Sequence, residues 1–228
     1  IVKNDPDNRR IASISAYISH QLNIKNIYPF CQSPLNFVLK KNITKDMENS
    51  NLNLQELIND ITEKKFTWEF FGKTTVGGSS AYNLTQLGIM SLSKLQNILV
   101  NEILNYKEHF KNENCTFIQK WPKKYKFNMW SNILKSEGYN TSHIHPAGWL
   151  SGGFYLKIPS NIKKNEAGIE FSLHGDHYPI KNKNIPTKTI IPEVCDLILF
   201  PSSLYHKTIP FKSKDERMMI AFDIHKLS

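Results

Sequence analysis

The sequence has little cysteine and no long apolar run. Its three cysteines, Cys31, Cys115 and Cys195, are far apart and form no C-x-x-C pair, so no disulfide framework is predicted and a reducing cytoplasm fits best. No apolar run approaches the ~20 residues that span a bilayer, which argues against a membrane protein. The start of the chain is polar and lacks both an apolar signal core and an initiator methionine. We therefore predict no signal peptide and expect the C-terminal part of a longer protein.

The composition is that of a folded protein with an excess of basic residues. Of the 228 residues, 40% are hydrophobic and 11% aromatic, enough to bury a core in one domain, with or without a helical extension. The net charge of +9 suggests a nucleic-acid partner. The lysines are scattered, however, and residues 142–154 contain neither Lys nor Arg. We therefore predict that nucleic acid is not a partner.

The spacing of apolar residues changes near residue 125. Before it the spacing is helical, and after it short runs alternate with turns that contain Pro or Gly. Helices are predicted over about 6–23, 54–64 and 84–110, a short strand at 37–39 and a loop at 77–80. Strands are predicted at 127–134, 142–145, 151–158, 168–173, 187–191, 196–200, 204–209 and 217–224.

This order of elements predicts an α+β protein. Eight short strands close as a jelly roll, and helices that precede them should buttress one of its faces. Residues 1–28 would be a helical extension, the end of a preceding helical region. Residues 29–228 would form the main domain, with a helical part at 29–124 and the jelly roll at 125–228.

Three histidines and one arginine in the jelly roll predict a metal site with a carboxylate anchor. His143 and His145 lie one residue apart, so on a strand both point to the same face. His206, on a distant strand, can close a facial three-point site that suits non-haem Fe(II). Arg217 opens a following apolar strand and offers a planar guanidinium to a carboxylate. This combination favours an oxygenase that consumes a 2-oxo acid.

Two alternatives for the metal ligands stay open at this point. A neutral imidazole at His145 offsets less of the charge of the metal than a carboxylate would, so two histidines completed by water could hold the metal. The segment from His174 to Asp176 reads H-x-D and could supply a ligand. Only two predicted strands, 187–191 and 196–200, separate it from the strand of His206, which is fewer than a jelly roll needs between two strands that carry ligands. We therefore interpret it as a loop near the mouth of the site.

Several segments in the same order resemble the 2-oxoglutarate- and Fe(II)-dependent dioxygenase family. Together they extend over roughly residues 30–225. The segments that carry the resemblance are Trp68–Leu84, Trp130–Asn132, His143–Pro146, Leu150–Leu156, Ile191–His206 and Pro210–Phe222.

The resemblance implies a double-stranded β-helix that uses Fe(II), 2-oxoglutarate and O2. It implies metal ligation by His143, His145 and His206 and binding of the distal 2-oxoglutarate carboxylate by Arg217. Two polar residues that flank the H-x-H motif, Asn132 and Ser151, are candidates for further hydrogen bonds to 2-oxoglutarate, with ordinary sheet packing as the alternative. Trp149 is a candidate for substrate contact or for the core.

The resemblance predicts a hydroxylase whose substrate is a peptide side chain or a small metabolite. The substrate itself stays open, because one fold supports many functions. The alternative is a cupin-like jelly roll that binds a metal without oxygenase turnover. Arg217 separates the two hypotheses, because a metal-binding module has no need of a carboxylate anchor.

Overall fold

Two antiparallel sheets face each other and hold the candidate site between them. The computed structural model describes residues 5–64, 66–69, 72–175 and 177–227. The strands are β1 Leu39–Asn42, β2 Thr67–Trp68, β3 Thr75–Ala81, β4 Tyr125–Asn140, β5 Leu150–Lys157, β6 Ile169–Ser172, β7 Thr187–Ile190, β8 Asp196–Pro201, β9 Tyr205–Thr208 and β10 Arg217–Lys226. Seven form one sheet in the order β1-β8-β5-β10-β4-β3-β2, and three form the other in the order β7-β6-β9.

The helices are α1 Arg9–Leu22, α2 Thr44–Asn49, α3 Leu54–Thr62, α4 Met90–His109 and α5 Thr116–Gln119. Helices α2 to α5 contribute to the hydrophobic core on the outer face of the larger sheet, whereas α1 lies near the H-x-H segment. In the main hydrophobic core, Leu95 and Ile103 of α4 lie in one cluster with Ile220 and Phe222 of β10. The predicted α+β class, with helices that buttress one face of the roll, is confirmed. None of the described helices is long and apolar enough to cross a membrane.

The side chains of strand β10 alternate between the two faces of the larger sheet. Its even-numbered residues 218–224 belong to the core shared with the helices, whereas Met219 and Ala221 belong to a second cluster with Phe171 of β6. Side chains alternate along a strand, so Arg217 and Asp223 point to the same side as Met219. This interior side is where the predicted ligands of the site meet.

The strands differ from the prediction in several places: β1 is Leu39–Asn42 and not 37–39, β2 was not predicted, and β4 continues to Asn140. Two further differences bear on the site. The segment 142–145 is a turn joined to β9 by a single bridge at His143 and His206, not a strand of its own. The segment 77–80, predicted as a loop, belongs to β3, which pairs with β4. A Cβ atom on Gly78 would lie 2.5 Å from the Ile133 carbonyl oxygen. Glycine thus permits the two backbones to approach closely, and the segment shows no apolar alternation.

Helix α1 contacts both the H-x-H turn and the loop that follows β6. It begins after Asn8, whose side chain caps the first turn. The Arg9 Nε donates to the carbonyl oxygen of Pro146 over 3.2 Å, and the Tyr17 hydroxyl donates to the carbonyl oxygen of Pro179. The predicted helical extension therefore packs against the jelly roll, while the domain boundary at residue 28 stays a prediction.

The close contact between β3 and β4 should make Gly78→Ala destabilising. The new methyl group would press on the Ile133 carbonyl, and such overpacking costs about 1–3 kcal/mol of unfolding free energy. Urea unfolding measures this loss, and Ser79→Ala, one residue along the same strand, serves as the control with little change. Equal stability of Gly78→Ala and the wild type would contradict this account of the β3 contact.

Candidate metal centre and active site

Backbone hydrogen bonds bring the three predicted histidines together. The His143 N–H donates to the His206 carbonyl over 3.1 Å, and the His206 N–H donates back to the His143 carbonyl over 3.0 Å. The His145 N–H donates to the Ser202 carbonyl over 2.9 Å. The ring centroid of His206 lies 4.2 Å from that of His143 and 5.0 Å from that of His145. The turn is thus fixed on β9 with all three rings in one group.

Each of these imidazoles has its Nδ1 atom turned toward a hydrogen-bond acceptor. Nδ1 of His143 lies 2.6 Å from the Thr141 carbonyl oxygen, and Nδ1 of His206 lies 3.1 Å from the Leu204 carbonyl oxygen. Nδ1 of His145 lies 2.7 Å from the Asp223 carboxylate. Because carbonyl and carboxylate oxygens only accept, each Nδ1 carries the hydrogen and each Nε2 keeps its lone pair.

The three Nε2 lone pairs suit a divalent metal ion. One ligand atom from each histidine lies within 4.8 Å of those of the other two, and Nε2 of His143 is 3.1 Å from Nε2 of His145. Two nitrogen lone pairs at that distance repel unless a cation or a proton lies between them. Imidazole nitrogen is a ligand that Fe(II) accepts, and three on one side leave coordination positions open. The residues therefore fit the predicted iron.

Burial keeps the histidines in the state that binds metal. It lowers the pKa of His143 to about 4, with a further contribution from the neighbouring His145. Burial also lowers the pKa of His206 well below its usual value. Both imidazoles are therefore neutral near pH 7, as metal ligation requires.

The segment 174–176 lies outside this group of histidines as far as the structure describes it. The Nε2–H of His174 donates to the Tyr178 carbonyl over 2.9 Å, and its ring packs edge-on against Tyr17 at 5.4 Å. This hydrogen bond occupies Nε2 of His174, so that atom is not available to a metal. Asp176, the carboxylate of the H-x-D alternative, lies outside the described residues.

Asp223 is a residue of the site that the sequence analysis missed. Its Oδ1 accepts from Nδ1 of His145 over 2.7 Å and from the Ser151 hydroxyl over 2.6 Å. Burial would raise the pKa of Asp223, but His145, His225 and Ser151 outweigh it and hold the pKa below its usual range. A carboxylate behind a ligating histidine orients the ring and makes it more basic. The two-residue period along β10 puts Asp223 on the same face as Arg217, but only the fold puts it behind His145.

Arg217 is fully buried and has unused hydrogen-bonding capacity. Its Nε donates to the Ala167 carbonyl over 2.9 Å, and its guanidinium lies 4.9 Å from the Tyr155 ring centroid. Its Nη2 and the Tyr155 hydroxyl are both buried without a hydrogen-bond partner. No described carboxylate forms an ion pair with Arg217. A buried cation without a counter-ion is costly, so this arrangement is suited to an anion that enters the cavity.

The structure places Asn132 beside the cavity but within a polar network of the protein. Its amide nitrogen donates to the Thr75 and Ser80 hydroxyls over 3.0 and 3.1 Å. Its amide oxygen accepts from Asn140 over 3.3 Å. These bonds join β3 to β4 and use the groups that would bind 2-oxoglutarate, so the cofactor role of Asn132 stays a prediction.

Ser151 and Trp149 lie behind the cavity wall. The Ser151 hydroxyl is fully buried and supports Asp223, as described above, rather than facing the cavity. Trp149 is also fully buried, and its indole N–H donates to the Phe117 carbonyl over 2.9 Å. Trp149 therefore lies in the hydrophobic core and not in contact with the cavity. The tryptophan that does line the cavity is Trp130, whose ring centroid lies 5.6 Å from that of His145.

A single cavity connects these groups. Its volume is about 720 Å³, and it is lined by the three histidines, by Arg217 and Tyr155 and by Trp130. This size is within the range of small-molecule sites. The predicted metal ligands and the predicted anion anchor therefore open into the same space.

The sequence over this site matches a known family. Residues 128–223 match the family model described as "Putative 2OG-Fe(II) oxygenase", where 2OG is 2-oxoglutarate. This part of the chain, which is less than half of the 228 residues, is therefore similar to the 2OG-Fe(II) oxygenases. The match includes the three histidines, Arg217 and Asp223, and it confirms the family recognised from the sequence. The predicted enzyme class, an oxidoreductase with Fe(II), 2-oxoglutarate and O2, is that of the family. No curated protein matches the chain in sequence.

Solved oxygenase structures share the fold at low sequence identity. A Pseudomonas putida prolyl-4-hydroxylase superposes with a TM-score of 0.59 at 9% identity, covering 95% of this chain and 100% of that one. The collagen prolyl hydroxylase of Paramecium Bursaria Chlorella virus-1, in its 2OG complex, gives 0.54 at 18%, covering 84% and 97%. A Trichoplax adhaerens prolyl hydroxylase gives 0.56 at 16%, covering 93% and 89%. The jelly roll is therefore that of these enzymes.

The geometry predicts that metal retention depends on the three clustered histidines. His143→Ala and His206→Ala should each abolish retention of Fe(II), because both the three-histidine site and the alternative of two histidines completed by water need these two ligands. His145→Ala should weaken retention less than His143→Ala does. Iron content after gel filtration measures the effect.

His174→Ala is the matched control, since it removes a buried histidine outside the cluster and should leave the iron content unchanged. Full iron content in His143→Ala and His206→Ala would refute the ligand assignment. If Asp176→Ala lost iron at the same time, the H-x-D segment would be the site.

The carboxylate behind His145 should matter because the three ligands are neutral. Asp223→Asn should weaken Fe(II) binding about 10–100-fold, the usual effect of losing a partner of a metal ligand. In a His145→Asp background the ligand carries its own negative charge, which repels Asp223. Asp223→Asn should then cost nothing or tighten binding. Chelator competition with Fe(II) measures both affinities.

Asp196→Asn, which alters a buried carboxylate paired with Lys40 away from the cavity, is the control and should not change the affinity. An equal loss from Asp223→Asn in both backgrounds would mean that Asp223 acts only on the fold.

Proposed function

We propose that this protein is an Fe(II)- and 2-oxoglutarate-dependent hydroxylase that acts on a peptide side chain or a small metabolite. The observation that carries the proposal is the unsatisfied Arg217 Nη2 next to the unsatisfied Tyr155 hydroxyl. These two donors lie in the cavity of the clustered histidines. A module that only binds metal has no use for a buried, unpaired cation, which is costly to the fold.

Each part of the site has a separate task in this proposal. His143, His145 and His206 would hold the iron. Arg217 and Tyr155 would bind the distal carboxylate of 2-oxoglutarate with charge-assisted hydrogen bonds. When bound, iron and 2-oxoglutarate supply the oxidising chemistry, in which O2 is consumed, 2-oxoglutarate yields succinate and CO2, and the substrate gains a hydroxyl group.

Tyr155 acts as a neutral donor. Burial raises the pKa of its hydroxyl, with Arg217 opposing the shift. Its hydroxyl therefore keeps its hydrogen at neutral pH and can donate to a carboxylate oxygen. Arg217 keeps its charge even though burial lowers its pKa, because the pKa of arginine begins so high. The pair is thus set for an anion and not for a metal.

The surrounding strands position the anchor and exclude water from it. Met219 is buried next to the anchor, and its sulfur lies 3.3 Å from Nη1 of Arg217. With water excluded, the hydrogen bonds to an entering carboxylate are stronger than they would be at the surface. The protein then fixes the orientation of 2-oxoglutarate relative to the histidines.

The related structures support a hydroxylase, and one of them a peptide substrate. The Trichoplax adhaerens enzyme was solved with a peptide fragment of the hypoxia inducible factor oxygen degradation domain. We also propose a cytoplasmic location, because the three cysteines are buried and unpaired, as in proteins of reducing compartments.

Arg217 variants test the proposal without knowledge of the substrate. Arg217→Lys should lose 2-oxoglutarate affinity, because an ammonium group cannot reproduce the planar two-donor geometry. The expected loss is about 3–5 kcal/mol, as for a buried ion pair broken on one side. Tyr155→Phe should cost less, about 1 kcal/mol for one hydrogen bond. Titration of the iron-loaded protein with 2-oxoglutarate gives the affinities.

Thermal unfolding supplies the control for folding. Arg217→Met should be as stable as the wild type or more stable without 2-oxoglutarate, because it removes an unpaired buried charge. It should lose the rise in Tm that 2-oxoglutarate causes in the wild type. Wild-type affinity in Arg217→Lys or Arg217→Met would refute the anchor. Iron binding without any 2-oxoglutarate binding in the wild type would favour the cupin-like alternative.

A further inference from the structure

The rim of the cavity is basic although the sequence around the H-x-H motif has no basic residue. Three basic residues line the rim: Arg10 on α1, Lys73 just before β3 and Lys126 at the start of β4. They are far apart in the chain and come together only in the fold. Among the described residues that line the cavity, Asp223 is the only carboxylate, and it is buried against His145.

No carboxylate of the described residues forms an ion pair with any of these three cations. Six lysines of the described chain have acidic partners, for example Lys226, which pairs with Asp7 over 2.9 Å. In the described parts of the chain, Arg10 and Lys126 form no ion pair, and Lys73 contacts the Tyr82 ring at 5.2 Å. Unpaired charges of one sign around a cavity with low-dielectric walls concentrate a positive potential inside it. The rim is therefore suited to an anion.

The strand register places Lys126 close to the metal centre. Lys126 pairs with His225, and Asn128 pairs with Asp223. Two residues along a strand are about 7 Å, so Lys126 lies one side-chain step outside the level of Asp223. Trp130 lies one step further inward, beside His145. If an anionic group of a bound molecule lay at the rim, a few atoms of that molecule would separate it from the metal centre. Those atoms would lie against the Trp130 ring.

The number and origin of the cations favour a phosphate group over a carboxylate. A carboxylate is planar, carries one charge and is satisfied by a single two-donor partner. A phosphate monoester carries a charge of about −1.5 to −2 and presents three terminal oxygens. Three cations from three separate elements line the same cavity, and their combined charge is suited to that of a phosphate. The side chains of Asn83 and Thr85 at the same rim add neutral hydrogen-bonding groups.

The shape of the site favours a small molecule over a nucleic acid. The cations surround the opening of one cavity of about 720 Å³, which is the size of small-molecule sites. A nucleic-acid backbone needs a basic groove that follows several phosphates. Resting on the function proposed above, we propose that the substrate is a small molecule with a phosphate monoester, which Arg10, Lys73 and Lys126 bind at the rim of the cavity.

The test uses phenyl phosphate as the probe on the protein loaded with Fe(II) and 2-oxoglutarate, without oxygen. Phenylacetate and phenol are the carboxylate and uncharged comparisons. Phosphorus NMR relaxation reports both the affinity and whether the phosphate lies near the paramagnetic iron. We expect phenyl phosphate to bind with iron-enhanced relaxation and to bind more tightly than either comparison compound.

A pair of triple variants assigns the binding to the rim. The rim variant combines Arg10→Gln, Lys73→Gln and Lys126→Gln, and we expect about tenfold to hundredfold weaker binding of phenyl phosphate, as for three partly exposed charge pairs. The control combines Lys45→Gln, Lys120→Gln and Lys164→Gln, which change the net charge equally away from the cavity, and should bind as the wild type does. The affinity for 2-oxoglutarate should be unchanged in both.

Each other outcome overturns the proposal. Equal loss in the control variant would show a general charge effect, and equal binding of phenylacetate would exclude phosphate selectivity. A parallel loss of 2-oxoglutarate affinity would mean that the rim serves the co-substrate. Oligonucleotide affinity that rises with length would indicate a nucleic acid. Failure of the wild type to bind 2-oxoglutarate would refute the proposed function instead, and this is measured separately from phosphate binding.

Discussion

The two backbone hydrogen bonds between His143 and His206 join the two sheets at the point where the site forms. One of these residues lies in a turn that leaves the larger sheet, and the other lies in β9 of the smaller one. These bonds fix the backbone positions of the two residues, and the hydrogen bonds of their Nδ1 atoms then orient the rings. They also bring in His145, whose backbone N–H is held by Ser202. The metal ligands therefore depend on the backbone more than on their own side-chain contacts.

The charges of the cavity follow from this arrangement. Three neutral imidazoles cannot offset the charge of a divalent ion, and the nearest negative charge is Asp223, behind His145. At the other end Arg217 has no partner among the described residues, so it is free for an anion. Negative charge therefore lies behind the metal centre and positive charge lies at the anchor. A co-substrate with a carboxylate at each end suits such a cavity, since one end can meet the metal and the other the guanidinium.

The fold could be predicted from the sequence, and so could the site residues whose role follows from their residue type and spacing. A histidine pair at a spacing of two, a distant histidine and an arginine at the start of an apolar strand are signals that depend on residue type. Asp223 and Tyr155 gave no such signal, because their roles come from which strands are neighbours. Asp223 pairs with Ser151 across β5, and Tyr155 pairs with Met219. Only the register, which no local pattern states, brings them to the site.

The basic residues at the rim of the cavity could not be predicted from the sequence, and helix α1 contributes one of them. Residues 142–154, around the H-x-H motif, contain no Lys or Arg. Arg10, Lys73 and Lys126 reach the cavity from separate elements of the fold. Helix α1 carries the first of them, and next to it Arg9 holds the carbonyl of Pro146. One turn of this helix thus supports the metal-binding turn and also lines the mouth above it. A change in how α1 packs would alter both together, so the helix acts as part of the site.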